Sequence, residues 1–323
     1  MSDDAQGFDN APPPPGSGDL ARLGAAVPPL IHFGTSSWTY PGWRGLVYHR
    51  DYAGKGMAAA MLDEYAKFPL FRTVGIDSTF YAPPTEAMLR SYAERLPPGF
   101  PCVSKVWHQL TAFSWTKAQS KTKAGQKNPD FLNPEVFLEA VYEPTCTYFA
   151  DHVGAFVFEF QQIFRSSGIT PQRFADLLDA FFSELPREGR YAVEIRNEDF
   201  LTPAYFAVLR EHGVAHVLNS WTRMPSIGTQ LDLPGVLTGS FIVARALLRP
   251  GRTYDEAVDA FAPYDRIREP DPEVRTDLLG VITAALRTRI PAYVLVNNRL
   301  EGSAPRTIIE LALETVAEAG SGS

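Results

Sequence analysis

Eight short apolar runs punctuate the chain between Ile31 and Asn298: IHFGTSS, RTVGIDSTF, PCVSKV, GAFVFEF, RYAVEIR, VAHVLNS, SFIVARA and AYVLVNN. Runs of this length, bounded by turn residues, read as buried strands. Helix-like stretches or long loops separate them, and right-handed crossovers of that length make successive strands parallel. Eight in a row predict a TIM-type (β/α)8 barrel in a single domain, with an open doubly wound sheet as the alternative. Nearly every run ends in polar or aromatic residues. In a closed barrel such residues gather on one face, where the βα loops carry the chemistry.

The helical segments carry recognisable start and stop signals. Thr85 is placed to cap the segment TEAMLRSYAERLP, which stops at Pro97 and Pro98. Asn133-Pro134, Thr170-Pro171 and Thr202-Pro203 repeat one device, a capping side chain followed by proline in the first turn. Pro144 is expected to kink or split the segment that begins at Asn133. The connection RMPSIGTQLDLPGVL after the sixth run looks irregular. Residues 1–28, with a proline run from Pro12 to Pro15, are predicted to be disordered; 29–317 form the barrel and 318–323 a flexible tail.

Composition narrows the class. The chain has 323 residues, 45% of them hydrophobic, and a net charge of −7, which argues against a generic nucleic-acid coat protein. The acidic, Pro/Gly-rich N-terminus has neither the basic nor the apolar region of a secretory signal, and no apolar run approaches the length needed to span a bilayer. A cytoplasmic location is expected, with no membrane association. The two cysteines, Cys102 and Cys146, read as buried thiols. Sparse histidines without ligand spacing predict no metal site, and the absence of phosphate-binding glycine motifs predicts no cofactor.

Three groups of strand-end residues could carry chemistry. The first is aromatic: Trp38, Tyr40, Trp43, Tyr81 and Trp221, with Trp107 and Trp115, could stack on a sugar or nucleobase, or could simply plug the barrel top. The second is basic. Lys117, Lys121, Lys123 and Lys127 crowd one loop, and Arg196, Arg245, Arg249, Arg252 and Arg299 lie at strand ends, so a basic mouth on an acidic protein would attract an anion. The third is acidic and polar. Strand alternation sends Glu194 and Arg196 to the barrel axis and Val193 and Ile195 to the helices. Asp77, Glu159 and Lys105 are further strand-end groups, and Asn219, Asn297 and Asn298 supply neutral hydrogen bonds. Glu159 and Glu194, on adjacent strands, have the composition of a glycosidase pair.

Several of these segments resemble the DUF72 (YecE-like) family. They are GTSSWTYPGWRGLVY (34–48), IDSTFYAPP (76–84), VEIRNEDF (193–200) and VNNRLEGSAP (296–305), so the likeness runs from about residue 30 to 315. The resemblance implies a TIM-type barrel and no known function. This chain departs from the family pattern at Gly75 and Asp77, at Gln161 and Gln162, at Asn197, at Asn219 and at Leu247. Histidines common to the family after the fifth and seventh runs are thereby absent.

Together these features predict a metal-independent enzyme, a hydrolase, lyase or isomerase, acting on an anionic, phosphorylated or sugar- or nucleotide-like small molecule. Glu194 would be its acid or base, tuned by Arg196, with Glu159 and Asp77 as further catalytic acids. Lys105 and Arg245 would hold charge, Trp38, Tyr40, Trp43, Tyr81 and Trp221 would stack, and Asn297 and Asn298 would orient hydroxyls. Two other readings are a nucleic-acid or nucleotide binder using residues 117–127 and the tryptophans, and an inactive barrel acting through a partner.

Overall fold

A computed structural model describes residues 16–115, 121–249 and 251–321. In chain order its elements are α1 (Ser17–Ala26), β1 (Ile31–Thr35), α2 (Met57–Tyr65), β2 (Val74–Ile76), α3 (Glu86–Ala93), β3 (Cys102–Lys105), α4 (Pro134–Phe137), α5 (Glu143–Tyr148), β4 (Val153–Glu159) and α6 (Pro171–Ser183). They continue with β5 (Tyr191–Glu194), α7 (Pro203–Glu211), β6 (Ala215–Asn219), α8 (Ile227–Leu231), β7 (Ile242–Ala246), α9 (Tyr254–Phe261), α10 (Pro272–Thr288), β8 (Ala292–Val296), α11 (Asn298–Glu301) and α12 (Ala304–Ser321). All eight strands are parallel, in the order β1-β8-β7-β6-β5-β4-β3-β2, and form one nearly closed TIM-type barrel flanked by helices.

The seam between β1 and β2 closes differently from the others. A Cβ on Gly34 would lie 2.2 Å from the Thr73 carbonyl oxygen, and one on Gly75 would lie 2.7 Å from the carbonyl oxygen of Ser36. Only glycine lets two backbones come this close. The Arg72 amide also donates to the Phe33 carbonyl oxygen at 2.9 Å.

Strand alternation builds the interior. Val103, Ala155, Val157, Ala192, Val217, Val243, Tyr293 and Leu295 form a separate apolar cluster inside the barrel. On β3 to β8 the next inward position, two residues on, is Lys105, Glu159, Glu194, Asn219, Arg245 and Asn297 in turn. The intervening residues, such as Phe156, Phe158 and Val193, belong to the larger core between strands and helices. An apolar lower layer is therefore capped by a polar one at the C-terminal end of the barrel.

The helix starts follow the capping signals: the side chains of Thr85, Asn133, Thr170 and Thr202 each accept an amide of the following turn. Residues Leu138–Tyr142 form a π-helical turn between α4 and α5. Pro144, which cannot donate an amide, follows directly and accounts for the break. The irregular sixth connection contains the short helix α8.

Both chain ends differ from expectation. Within the segment expected to be disordered, residues 17–26 form α1, which buries Leu20 and Gly24. Arg72 donates to the carbonyl oxygens of Gly24, Val27 and Pro28 at 2.7, 3.0 and 2.9 Å, tying the end of α1 and its exit to the body. At the other end α12 extends through Ser321, past the boundary expected at 317. Residues 1–15 lie outside the described residues. No helix among the described residues is long and apolar enough to cross a membrane.

Candidate functional site

Glu159 and Glu194 stand opposite each other in the β4–β5 register. Two buried carboxylates side by side repel unless cations intervene, and here three do. The Glu159 oxygen Oε2 receives Lys105 Nζ at 2.7 Å, Arg196 Nη2 at 3.0 Å and Arg245 Nη1 at 3.1 Å. The Glu194 oxygen Oε1 receives Arg196 Nε and Nη2 at 3.0 and 2.7 Å, and its Oε2 receives Arg245 Nη1. Arg245 then reaches Asp77 through Nη2 at 3.2 Å, and Lys105 reaches the same carboxylate at 3.3 Å. Asp77, Lys105, Glu159, Glu194, Arg196 and Arg245 thus form one network of three acids and three cations.

The network is graded in depth. Glu194 is 0% exposed and Arg245 2%, whereas Lys105 reaches 13% and the Asp77 side chain 28%. Trp221 covers Arg196, whose guanidinium carbon lies 3.7 Å from the ring centroid. Burial alone would raise the Glu159 carboxyl, but Arg196, Lys105 and Arg245 outweigh it and hold the group well below the ordinary carboxylate range. Burial would likewise lower Arg245, and Glu194, Asp77 and Glu159 reverse that, so it is firmly cationic. A general acid must hold a proton near the working pH. Glu159 therefore does not fit the acid of a glycosidase pair. Glu194 is 0% exposed with both oxygens engaged by arginines, an arrangement that disfavours the acid or base role expected from sequence.

The aromatic group divides. Trp38 and Trp43 are buried; their indole nitrogens donate to the Ala58 carbonyl at 2.7 Å and to Asn298 Oδ1 at 3.1 Å. Both pack beneath loops, the bland alternative for these residues, and neither offers a free ring face. Tyr81 is 74% exposed, while Tyr40 is half-buried against Trp43 and Tyr264. Burial pushes the Tyr40 phenol up to about 12, against the opposing pull of Arg299. Asn297 and Asn298 also have structural partners. Asn297 Oδ1 accepts the Arg299 amide at 3.0 Å, and Asn298 Oδ1 accepts the Ala304 amide at 2.8 Å as well as Trp43.

Most strand-end arginines of the expected basic mouth are neutralised. Arg249 pairs with Glu269 and Asp271 at 3.1 Å each, and Arg252 pairs with Glu269 at 2.7 Å. These acids lie in the segment DRIREPDPE, whose alternating charges are the sequence signal for them. Lys117 lies outside the described residues; Lys123 and Lys127 lie over the rings of Trp115 and Phe113. Residues that sequence reasoning missed include Gln161, which donates to Glu159, and the tyrosines Tyr254 and Tyr264 near Arg299. Elsewhere, a groove of about 430 Å³ lies between α1 and α2, lined by Leu20, Tyr52, Glu64 and Phe68, and shares no residue with the charged network.

A model for the family described as "Protein of unknown function DUF72" matches residues 32–321. The chain belongs to the DUF72 family. A DUF72 family protein from Enterococcus faecalis superposes with a TM-score of 0.61 at 14% identity, over 89% of this chain and 95% of that one. One from Thermotoga maritima superposes with a TM-score of 0.60 at 19% identity, over 88% of this chain and 98% of that one. Likeness at these identities carries the barrel to the DUF72 chain and nothing of its chemistry. No curated protein matches the chain.

Proposed function

We propose that this DUF72 protein is an enzyme whose substrate meets the barrel mouth above Asp77 and Lys105. What supports the reading is one observation: six charged side chains from the ends of five strands converge, and only these two open to solvent. Lys105 would donate to, or neutralise, an oxygen that gains charge, and Asp77 would accept a proton from a substrate hydroxyl. Glu159, Glu194, Arg196 and Arg245 would keep that pair in place. The substrate class is a hydroxyl-bearing, anionic small molecule such as a sugar phosphate or nucleotide, and the reaction a hydrolysis, elimination or isomerisation. Every carboxylate of the network already faces cationic nitrogens, a donor set that disfavours a further cation, so the reaction is proposed to need no metal.

The test is a thermal-stabilisation screen against a metabolite library, since a ligand specific for the native state raises the melting temperature. Asp77→Asn and Lys105→Met should each abolish the shift for the true ligand. A ligand that stabilises both variants as well as the parent protein would sink the assignment.

A second reading, nucleotide or single-strand binding, draws support from the exposed ammonium groups of Lys123 and Lys127 on the loop after β3. It requires oligonucleotide affinity that falls steeply with salt. Fluorescence anisotropy with a short labelled strand decides it, and salt-independent or absent binding removes it.

A further inference from the structure

Arg299 is a cation in an unusual position. It follows β8 at the same end of the barrel as the charged network, and among the described residues it has no carboxylate partner. Its Nη1 donates to Asn297 Oδ1 at 3.0 Å, and its Nε is buried with no hydrogen-bond partner. The guanidinium carbon lies 4.1 Å from the Tyr254 ring centroid. Asn297, which holds Arg299, lines the same small recess as Tyr40, and the Arg299 charge also acts on Tyr40 and Tyr264.

The surrounding backbone is held for this arrangement. Tyr264 has φ of +73°, a left-handed conformation that a tyrosine adopts only when its surroundings enforce it. The β1 loop packs directly against this turn: a Cβ on Gly42 would lie 1.8 Å from the Pro263 carbonyl oxygen. The loops after β1 and β7 therefore meet backbone to backbone and present Tyr40 and Tyr264 edge to face, with ring centroids 5.4 Å apart. In the adjoining recess, lined by Tyr40, Asn297 and Asn298 and too small to admit a water, Ser36 Oγ and Asn298 Nδ2 are buried and unpartnered.

We propose that Arg299, with Tyr40, Tyr254 and Tyr264, forms a phosphoryl-binding subsite at the barrel mouth between β1, β7 and β8. A guanidinium with free donor capacity suits an oxyanion. The tyrosine hydroxyls add more donors than the two oxygens of a carboxylate would use, and the three terminal oxygens of a phosphoryl group match them better. The inference deepens the preceding reading by naming the anionic group, and it rests on that reading only for the idea that the group belongs to a substrate.

Inorganic phosphate is the probe, titrated into the full-length protein at constant ionic strength with chloride as the balancing anion, and followed by melting temperature and phosphorus-31 line width. The parent protein should show saturable binding. Arg299→Met should raise the half-saturating phosphate concentration roughly tenfold or more, and Arg299→Lys, which keeps the charge but loses the fork, should lie between. Both variants should melt near the parent in chloride alone, because Arg299 holds no carboxylate in place. The proposal is overturned if the parent shows no saturable phosphate effect, if Arg299→Met binds phosphate as the parent does, or if malonate binds more tightly than phosphate. No organic substrate is present, so the outcome is independent of whether Asp77 and Lys105 react.

Discussion

The Lys105 ammonium lies 2.7 Å from Glu159 Oε2, and that single oxygen also takes Arg196 and Arg245. One carboxylate oxygen thus joins three cations carried by β3, the end of β5 and β7. The remaining charge of the cations is met by Glu194 and Asp77, so the network is neutral as a whole and each member depends on the others. A buried array of this kind contributes little when complete and costs much when one member is lost.

Glu194→Gln is therefore expected to destabilise the protein by about 3–5 kcal/mol, because Arg196 and Arg245 would lose one of the two buried carboxylates they share. Urea denaturation measures the loss. A change below about 1 kcal/mol would mean that the two arginines find water or another acid at little cost.

Acid should weaken the fold in two stages. Burial pushes the His216 imidazole down to about 4, so it is neutral in the native state over a range where the unfolded chain binds a proton. Its contribution is complete above the ordinary histidine value near 6.5 and is lost as pH falls toward 4, by roughly 3 kcal/mol in total. Glu159, also held below its ordinary value, adds a loss only as pH falls below about 4.3. Denaturation midpoints between pH 8 and pH 3.5 should show both stages in the parent and a clearly smaller first stage in His216→Asn, where His32, also lowered by burial, still contributes.

Gly34→Ala tests the seam. The added methyl would meet the Thr73 carbonyl at 2.2 Å, and with backbone on both sides neither partner can turn aside. The expected cost is about 1–3 kcal/mol, the range for overpacked interiors, and it should exceed that of Gly18→Ala, where nothing lies within 4 Å. Thermal melts of the two variants settle the comparison.

The two thiols should differ in reactivity. Burial raises Cys102 well above the ordinary thiol range, and it is closed off at the base of β3, while Cys146 is half-buried and raised less severely by the same cause. A thiol reagent should modify Cys146 in the native protein and reach Cys102 only at the rate of unfolding. Equal rates would contradict the burial of Cys102.

Much of this was legible without coordinates. The barrel followed from eight apolar runs with polar ends, and the inward direction of Glu194 and Arg196 followed from the two-residue alternation of a strand, whereas their meeting with Glu159, Lys105 and Arg245 became visible only in the structure. The destinations of Arg249 and Arg252 were not legible, because their acids lie on a later loop that only the barrel brings back beside them. Trp43 and Asn298 read as ligand-facing from their positions, yet they hydrogen-bond each other across 255 residues of chain.

The sequence by itself determined the architecture and which face of each strand points inward, because hydrophobic periodicity acts locally and repeats. Only the tertiary structure decided which inward charges neutralise one another and which remain available. That depends on distances between side chains from strands far apart in sequence, and on burial, which turns an ion pair of little consequence in water into a constraint on its neighbours. It is why Glu194, the most conspicuous acid in the sequence, is enclosed, while Asp77, Lys105 and Arg299 face the mouth.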